Sequence, residues 1–364
     1  MALLHTPLYE KHVELGGKMV DFAGFELPVQ YPTGIIAEHM AVRTKAGLFD
    51  VSHMGEFLLT GPESRKQLNL WLTNSYTKLK PNRVRYSVLC QDDGGALDDL
   101  LVYCFDDEKF WIIPNAANTD ADFAWLTDHL TCDVKLENIS RQIGQIALQG
   151  PATQAIITKL VPEDQLPEKY YSFNEHVTVA GVDCLVSQTG YTGEFGYELY
   201  IPADGTPAVW DALLEAGKEE GLAPAGLGAR DTLRMEAAMP LYGQEMTPEI
   251  TPLEAGLDFG VKLNKEEDWI GKKAMAASLP LKRTRIGFEV TGKGIVREHM
   301  PIFDGEKEIG FTTTGNKAPY LGKAIGMGYV PVEYAEVGRT LQVHVRNKVV
   351  DVQIVEMPFY KREK

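Results

Sequence analysis

Alternating polar and apolar positions in the first third of the chain predict a β-hairpin. Residues 86–90 are rich in β-forming side chains, and residues 97–105 read as the returning strand. Between them lies the run Asp-Asp-Gly-Gly that starts at Asp92, which is typical of a tight turn. The sequence therefore predicts two antiparallel strands joined by a tight turn at this point of the chain.

Two adjacent aspartates, Asp98 and Asp99, follow this turn and run straight into an apolar stretch. Because successive strand residues point to opposite faces of a sheet, one of the two carboxylates shares a face with Leu101 and Tyr103. A carboxylate on an apolar wall is difficult to ionise without a partner, so it is a candidate for a functional site. The alternative is that both aspartates simply continue the polar turn.

Elsewhere, apolar residues at helical spacing alternate loosely with short β-rich runs, which favours the α+β class. We predict that Gly47 ends the first long helix and that Pro28 breaks the chain before it. The helices are predicted at residues 35–46, 63–72, 119–130, 152–160, 208–221 and from 229 to about 238. The strands are predicted at residues 56–60, 110–114 and 143–148, with two more within 176–188.

The character of the chain changes beyond Ala274. Short strands separated by Gly and Pro turns predominate there, which predicts a separate all-β barrel or sandwich domain after a link at about residues 278–283. Its strands are predicted at residues 285–290, 302–303, 308–314, 326–330, 340–345 and 349–355.

Length and charge narrow the functional classes. A chain of 364 residues predicts two to three domains, and a net charge of −15 disfavours binding to nucleic acid or to anionic membranes. The four cysteines lack metal-ligand spacing and are expected to be free thiols. We see no signal peptide, transit segment or membrane span, and we expect a cytoplasmic protein.

Three other patterns do not support a site. Gly226 and Gly228 begin like a dinucleotide-binding fingerprint, but Asp231 occupies the third glycine position. The eight histidines are scattered without ligand spacing, so we predict no metal. Ser52 and His53 are adjacent on an extended stretch and point apart, which argues against a nucleophile–base pair.

Motifs distributed over nearly the whole chain together resemble the aminomethyltransferase (T-protein) family of the glycine cleavage system. Each is weak alone, and their number and order make the resemblance specific. The motifs are Thr6-Pro7-Leu8-Tyr9, Met19-Val20-Asp21-Phe22-Ala23-Gly24, Ala41-Val42-Arg43, Gly47-Leu48-Phe49-Asp50-Val51-Ser52-His53-Met54, Gly94-Gly95-Ala96-Leu97-Asp98-Asp99-Leu100, Asn115-Ala116-Ala117-Asn118, Gln149-Gly150-Pro151, Thr189-Gly190-Tyr191-Thr192-Gly193-Glu194, Gly226-Leu227-Gly228-Ala229-Arg230-Asp231 and Leu241-Tyr242-Gly243-Gln244-Glu245.

The resemblance implies an α+β protein of three domains in a ring, with tetrahydrofolate in a central hole and a C-terminal β-barrel domain. The implied boundaries are 1–52 plus about 140–275 for a folate-binding domain, about 53–139 for an inserted domain with the hairpin, and about 280–364 for the barrel. The family accepts an aminomethyl group from the lipoyl arm of the H protein, works with the other components of that system, and forms methylenetetrahydrofolate, ammonia and the dihydrolipoyl arm. No metal or nucleotide is implied.

The resemblance also assigns residues. Asp99 corresponds to the essential carboxylate, whose role as general base or electrostatic anchor stays open. The implied pterin walls are Met54, Tyr86, Tyr103 and Tyr191. Glu198 is the implied acceptor for pterin N–H groups, and Arg230 is the implied cation beside the site. Asn115 and Tyr360 are weaker contacts. Without the resemblance, Met54, Tyr86 and Tyr103 would be interpreted as core residues. Glu198 would be a solvated strand residue, and Arg230 would form an ion pair with Asp231.

Two other functions use the same fold. A non-catalytic folate-binding protein of this kind carries a Cys before Tyr-Gly-Gln, where this chain has Leu241. A folate-dependent demethylase would differ only in its substrate pocket. The presence of Asp98 and Asp99 favours the aminomethyl transfer enzyme over both.

Overall fold

The computed structural model describes residues 2–363, in which helices and strands alternate up to α8 and strands predominate afterwards. The elements of the first part are α1 (Tyr9–Glu14), β1 (Lys18–Phe22), β2 (Phe25–Gln30), α2 (Ile35–Thr44), β3 (Ala46–Asp50), β4 (Phe57–Thr60), α3 (Ser64–Trp71), β5 (Arg83–Cys90), β6 (Ala96–Cys104), β7 (Lys109–Ile113), α4 (Thr119–Asp128), β8 (Lys135–Asn138), β9 (Ile143–Gln149), α5 (Thr153–Ile157), β10 (Phe173–Val179), β11 (Val182–Ser187), β12 (Gly196–Pro202), α6 (Thr206–Ala216), β13 (Leu222–Pro224), α7 (Leu227–Glu236) and α8 (Lys272–Ala277). The later strands are β14 (Arg283–Val290), β15 (Pro301–Asp304), β16 (Lys307–Ala318), β17 (Lys323–Pro331), β18 (Thr340–Val345) and β19 (Lys348–Val355).

Packing divides the described chain into two units. The first unit contains the residues up to Leu68, Tyr76–Tyr86 and Leu100–Asp231, and the second contains Asn69–Ser75, Ser87–Asp99 and the residues from Thr232 onward. β5 and β6 therefore each pass from one unit to the other along the chain. The three-domain ring and its boundaries stay predictions.

A six-stranded sheet in the order β10-β11-β12-β9-β3-β13 forms the centre of the first unit. Leu48, Leu148, Leu199 and Trp210 from its strands and from α6 are fully buried in one core. Burying each such side chain contributes about 1.5–3 kcal/mol to the stability of the fold. The sheet is therefore a stable support for the residues on its strands. The predicted helix at residues 208–221 is confirmed as α6.

The predicted hairpin is confirmed as β5 and β6 in a sheet of order β5-β6-β7-β4-β8. Its turn closes through the amide of Gly94, which donates to the carbonyl of Gln91 at 2.9 Å. Gly94 adopts φ +89°, a left-handed conformation that glycine accepts without steric strain. Turn chemistry and alternation thus locate this element correctly.

The predicted C-terminal β-domain is confirmed as a closed barrel with strand order β14-β17-β16-β15-β18-β19. Pairing of β14 with β19 closes it, and its interior is filled by Phe288, Ile302, Val343 and Val352, all fully buried. The α+β class with a C-terminal barrel is therefore confirmed. Within residues 2–363 no helix is both long and apolar enough to cross a membrane.

Two local predictions are wrong. The first long helix ends at Thr44, and Gly47 lies inside β3, whose five residues are all buried. A strand buried on both faces shows no alternation, so its sequence gives no period-2 signal. Pro28 does not break the chain but lies in β2, which has only β1 beside it in its sheet and so tolerates a missing donor.

A buried ion pair attaches the end of α7 to the barrel within the second unit. Arg234 Nη1 lies 2.8 Å from Glu245 Oε2, and the two side chains are 2% and 0% exposed. Thr313 Oγ1 donates to Glu245 Oε1 at 2.6 Å, and Tyr329 donates to the Glu245 carbonyl at 2.7 Å. Removing one partner would leave the other charge buried and uncompensated.

We expect Arg234→Met to lower the free energy of unfolding by about 3–5 kcal/mol, because Glu245 would remain buried without its cation. Urea denaturation followed by tryptophan fluorescence measures the loss. The matched control is Lys323→Met, whose partner Glu289 lies 2.8 Å away in an exposed pair, with an expected loss of at most about 1 kcal/mol. Equal small losses in both variants would contradict this role of the buried pair.

Candidate functional site

Glu198 lies near the middle of β12, and its side chain is the centre of a polar cluster in the first unit. Gln145, on the neighbouring strand β9, donates from Nε2 to Glu198 Oε1 at 3.2 Å. Thr189, in the loop after β11, donates a short hydrogen bond from Oγ1 to Glu198 Oε2. Each carboxylate oxygen is therefore fixed by one protein donor, and the side chain stays partly exposed.

Two buried tyrosines extend this cluster to the hairpin. Gln145 Nε2 also donates to the hydroxyl of Tyr200 at 3.2 Å, and Tyr200 donates to the hydroxyl of Tyr103 at 3.0 Å. Tyr103, on β6, in turn donates to Ser187 Oγ at 3.1 Å. Burial and the negative charge of Glu198 both raise the pKa of Tyr103, so its hydroxyl stays protonated. The chain of bonds links Tyr103 to the Glu198 carboxylate.

The charge of Glu198 is balanced between opposing effects. Burial raises the pKa of its carboxyl, while the Thr189 hydrogen bond, the charge of Arg230 and the Gln145 hydrogen bond lower it, and the net shift is upward. The Arg230 guanidinium, on α7, lies 4.9 Å from the centre of the Tyr191 ring. An aromatic face, a cation and a partly exposed carboxylate thus occur together.

The loop that carries Tyr191 is held from two sides. Arg43 Nη1 lies 2.8 Å from Glu194 Oε1, and both side chains are almost completely buried. Gly190 sits so close to Gln149 that a Cβ atom there would lie 2.1 Å from its Oε1. This packing accounts for three of the sequence motifs and fixes the loop beside β12.

Met54 and the segment after Asn115 border a cavity in the first unit. Met54 packs against the core cluster that contains Tyr103, and it also lines a cavity of about 770 Å³. Ala116 and Ala117 line the same cavity, and the Asn115 carbonyl accepts a hydrogen bond from Thr119 Oγ1 at 3.2 Å. Tyr86 is half-buried at the end of the first-unit part of β5.

Two of the predicted residues belong to the second unit. Asp99 is half-buried on β6, whereas Asp98 is fully buried, so the alternation predicted for the pair is present. Tyr360 donates its amide to the Glu236 carbonyl at 2.8 Å, and its ring lies 5.3 Å from that of Tyr320. A shared site of these two residues with Glu198 stays a prediction.

Ser52 and His53 do not form a catalytic pair, as predicted. Ser52 Oγ donates to the Gln145 carbonyl at 3.2 Å, and neither ring nitrogen of His53 has a hydrogen-bond partner among the described residues. The His53 ring packs edge-on against Phe22 with centroids 5.5 Å apart. Burial and the charge of Arg230 lower the pKa of His53 to about 3, so it is neutral.

Sequence reasoning missed Gln145, Tyr200 and the role of Thr189. Tyr200 follows Glu198 by two residues, so a strand assignment over β12 would have placed both on one face. Gln145 carries no such signal, because its position depends on the pairing of Gln145 with Tyr200 across β9 and β12. Only the strand register brings Gln145 to the carboxylate.

Comparisons with known proteins agree with this architecture. Residues 8–265 match the family described as GCVT N-terminal domain, and residues 283–361 match the glycine cleavage T-protein C-terminal barrel domain. The aminomethyltransferase of Anoxybacillus flavithermus is 48% identical over 364 residues and covers 100% of both chains. That of Desulfitobacterium hafniense Y51 is 50% identical over 99% of both chains.

A crystal structure of the glycine cleavage system aminomethyltransferase T from Bartonella henselae superimposes with a TM-score of 0.92. It is 32% identical and covers 99% of this chain and 98% of its own. The α+β fold, the C-terminal barrel and these relatives define an aminomethyltransferase, a one-carbon transferase. Within that class, the chain belongs to the glycine cleavage T-protein family.

A second glutamate beside the cluster has a different environment. Glu56 is 0% exposed, and its carboxyl oxygens have no hydrogen-bond partner among residues 2–363. Burial raises the pKa of Glu56 well above its ordinary value of 4.5. Burial is also the main cause that raises the pKa of Tyr200, with a smaller electrostatic contribution from nearby Glu56. Burial without a hydrogen-bond partner therefore favours the neutral, protonated form of Glu56 in the folded protein.

We expect Glu56→Gln to gain stability relative to wild type as pH rises from about 5 to 8. Above pH 4.5 Glu56 is ionised in the unfolded chain, whereas burial disfavours its ionisation in the folded chain. The stability of the wild type therefore falls by up to about 1.4 kcal/mol per pH unit until the pH exceeds the pKa of Glu56 in the folded protein. The glutamine stays neutral in both states. Melting temperatures of both proteins across this range measure the difference.

The control is Glu108→Gln, which changes an exposed carboxylate in a turn. Its melting temperature should follow that of wild type at every pH. A constant offset between Glu56→Gln and wild type would show that Glu56 is ionised in the folded protein.

Proposed function

We propose that this aminomethyltransferase moves the aminomethyl carbon from the lipoyl arm of an H protein to tetrahydrofolate. The carbon loses its bonds to the lipoyl sulfur and to the amino nitrogen and gains bonds to N5 and N10 of the folate. The two protons lost by these nitrogens go to the sulfur and to the departing ammonia. The products are 5,10-methylenetetrahydrofolate, ammonia and the dihydrolipoyl carrier.

The observation that carries this proposal is the geometry of Glu198. A carboxylate offers about four lone-pair sites, and the donors Gln145 and Thr189 occupy one on each oxygen. The remaining sites suit two adjacent donors, such as the amino group and ring N–H of a pterin. Because Glu198 is partly exposed, a ligand can reach those sites.

The surroundings of Glu198 fit a flat ring with a polar edge. Met54, Tyr86 and Tyr191 are proposed to supply apolar and aromatic surface. Tyr103, expected as a further wall, is fully buried, so its contribution is the hydroxyl that extends the hydrogen-bonded cluster. The Arg230 cation beside Tyr191 suits a carbonyl or carboxylate oxygen of the ligand. Asn115 and Tyr360 are proposed as further contacts of the folate.

Asp99 is proposed as the carboxylate that acts on the reacting nitrogens. It is half-buried on the same face of β6 as Tyr103, whose hydroxyl is linked to the Glu198 cluster. A carboxylate in this environment can accept a proton from a folate nitrogen or stabilise a cationic intermediate. Accurate placement matters more for either role than a large pKa shift.

The function is tested by incubating the protein with tetrahydrofolate and an aminomethyl-loaded lipoylated carrier protein. We expect ammonia and methylenetetrahydrofolate to appear in equal amounts, with fast turnover only in the presence of the carrier. Free aminomethyl thiols should react far more slowly. If a small methylated sulfur or amine compound were consumed faster than the loaded carrier, the demethylase alternative would replace this proposal.

We expect Asp99→Asn and Glu198→Gln to fail in different ways. Asp99→Asn removes the acid that acts on the nitrogens, so kcat should fall at least about 1,000-fold while the Kd for tetrahydrofolate changes little. Glu198→Gln replaces an acceptor oxygen with a donor, so the Kd should rise about 10- to 100-fold. Isothermal titration and single-turnover assays separate the effects. Full transfer activity in Asp99→Asn would remove Asp99 from the mechanism.

A further inference from the structure

The turn of the Asp99 hairpin is fastened to other segments of the second unit. Gln91 Nε2 donates to the Pro248 carbonyl at 3.0 Å, at the last residue of the chain before the turn. On the returning strand, the Ala96 amide donates to the Ile250 carbonyl at 3.2 Å. Tyr242 donates from its hydroxyl to the Ala96 carbonyl at 3.3 Å. Tyr242, Pro248 and Ile250 thus form a cradle around the turn.

Two glycines allow the backbones of the cradle and the turn to approach closely. A Cβ atom on Gly95 would lie 1.8 Å from the Pro248 carbonyl oxygen, and one on Gly271 would lie 2.6 Å from the Gln91 carbonyl oxygen. Real Cβ atoms do not occur at such separations from backbone, so neither position accepts a larger residue without a shift. The fit between the turn and the cradle is therefore tight on two sides.

The register of β6 determines whether Asp98 or Asp99 lies on the half-buried face of the strand. Ala96, Asp98 and Leu100 are buried on one face of β6, while Asp99 is half-buried on the other. A slip of one residue in strand register exchanges the faces of all side chains. Because Asp98 and Asp99 are adjacent, such a slip would still present a carboxylate, so the chemistry of the pair alone does not select the register.

The cradle holds Ala96 by both its amide and its carbonyl, three residues before Asp99. Three strand residues span about 10 Å of stiff backbone, so an error at Ala96 is transmitted to Asp99. A misplacement of about 1 Å can reduce a rate about 100-fold. The side chain of Gln91, just before the turn, adds a further hydrogen bond to this cradle through its Nε2.

We propose that Gln91 is a positioning residue for aminomethyl transfer: it locks the hairpin to the Pro248 carbonyl and so fixes the strand register that presents Asp99 rather than Asp98. This inference rests on the proposed function of Asp99. Gln91 does not touch the reacting atoms, and its substitution should affect the placement of the acid and leave the binding surfaces unchanged.

The experiment compares Gln91→Met and Gln91→Glu with wild type. Both variants keep the length of the side chain and lose the donor, and the carboxylate additionally repels the carbonyl. We expect kcat to fall about 10- to 100-fold, while the KM for the loaded carrier, the Kd for tetrahydrofolate and the melting temperature stay within experimental error of wild type. Gln91→Lys retains a donor and should recover most of the rate.

Asp92→Asn is the matched control, because Asp92 is an exposed neighbour in the same turn, and its kcat should stay within about twofold of wild type. Values of kcat within twofold of wild type for Gln91→Met and Gln91→Glu would overturn the inference. A parallel loss of folate affinity and melting temperature in these variants would also overturn it, because it would show a general structural role.

A second measurement separates this inference from the proposed function. Hydrogen exchange of the amides of residues 97–100 should be faster in Gln91→Met than in wild type, whether or not Asp99 is catalytic. If Asp99→Asn retains full activity, the proposed function fails irrespective of Gln91. If Asp99→Asn is inactive but Gln91→Met leaves both the exchange and kcat unchanged, only the positioning role fails.

Discussion

The site depends on the groups that support the charge of one carboxylate, Glu198, within a sheet. Burial of Glu198 raises its pKa, and the Thr189 hydroxyl, the charge of Arg230 and the Gln145 amide offset part of this cost of ionisation. These three groups come from the loop after β11, from α7 and from β9. The ionisation of Glu198 therefore depends on the placement of the sheet, the loop and the helix around β12.

This requirement explains why motif residues far from Glu198 matter. Arg43, on α2, holds Glu194, and Gln149, at the end of β9, packs against Gly190 in the loop that supplies Thr189. Hydrogen bonds within a buried polar network restrict the movement of its members, although Gln145 Oε1 has no partner among the described residues. Tyr103 joins the first-unit part of β6 to this network.

Elements with a clear local period could be predicted from the sequence, and elements defined by long-range pairing could not. The hairpin and the barrel strands alternate or have strong turns, so their type and approximate bounds follow from propensity and pattern. β3 is buried on both faces and shows no period. The aromatic and acidic residues of the candidate site were found through the family motifs. Gln145 was missed because its partner Tyr200 is distant in sequence and only the register of β9 and β12 joins them.

Three glutamates of the first unit, two of them fully buried and one partly exposed, show why burial alone does not define a site. Glu38 accepts backbone N–H groups from Tyr31 at 2.5 Å and Gly226 at 2.9 Å, so it serves as a fixed tie between segments. Glu56 has no hydrogen-bond partner for its carboxyl oxygens among the described residues, and its burial favours the neutral form. Glu198 alone of the three combines side-chain donors, a nearby cation and residual exposure. An acid is suited to bind a ligand when neighbouring donors and a cation favour its charged form and still leave it partly exposed, and this combination distinguishes Glu198 from the other two.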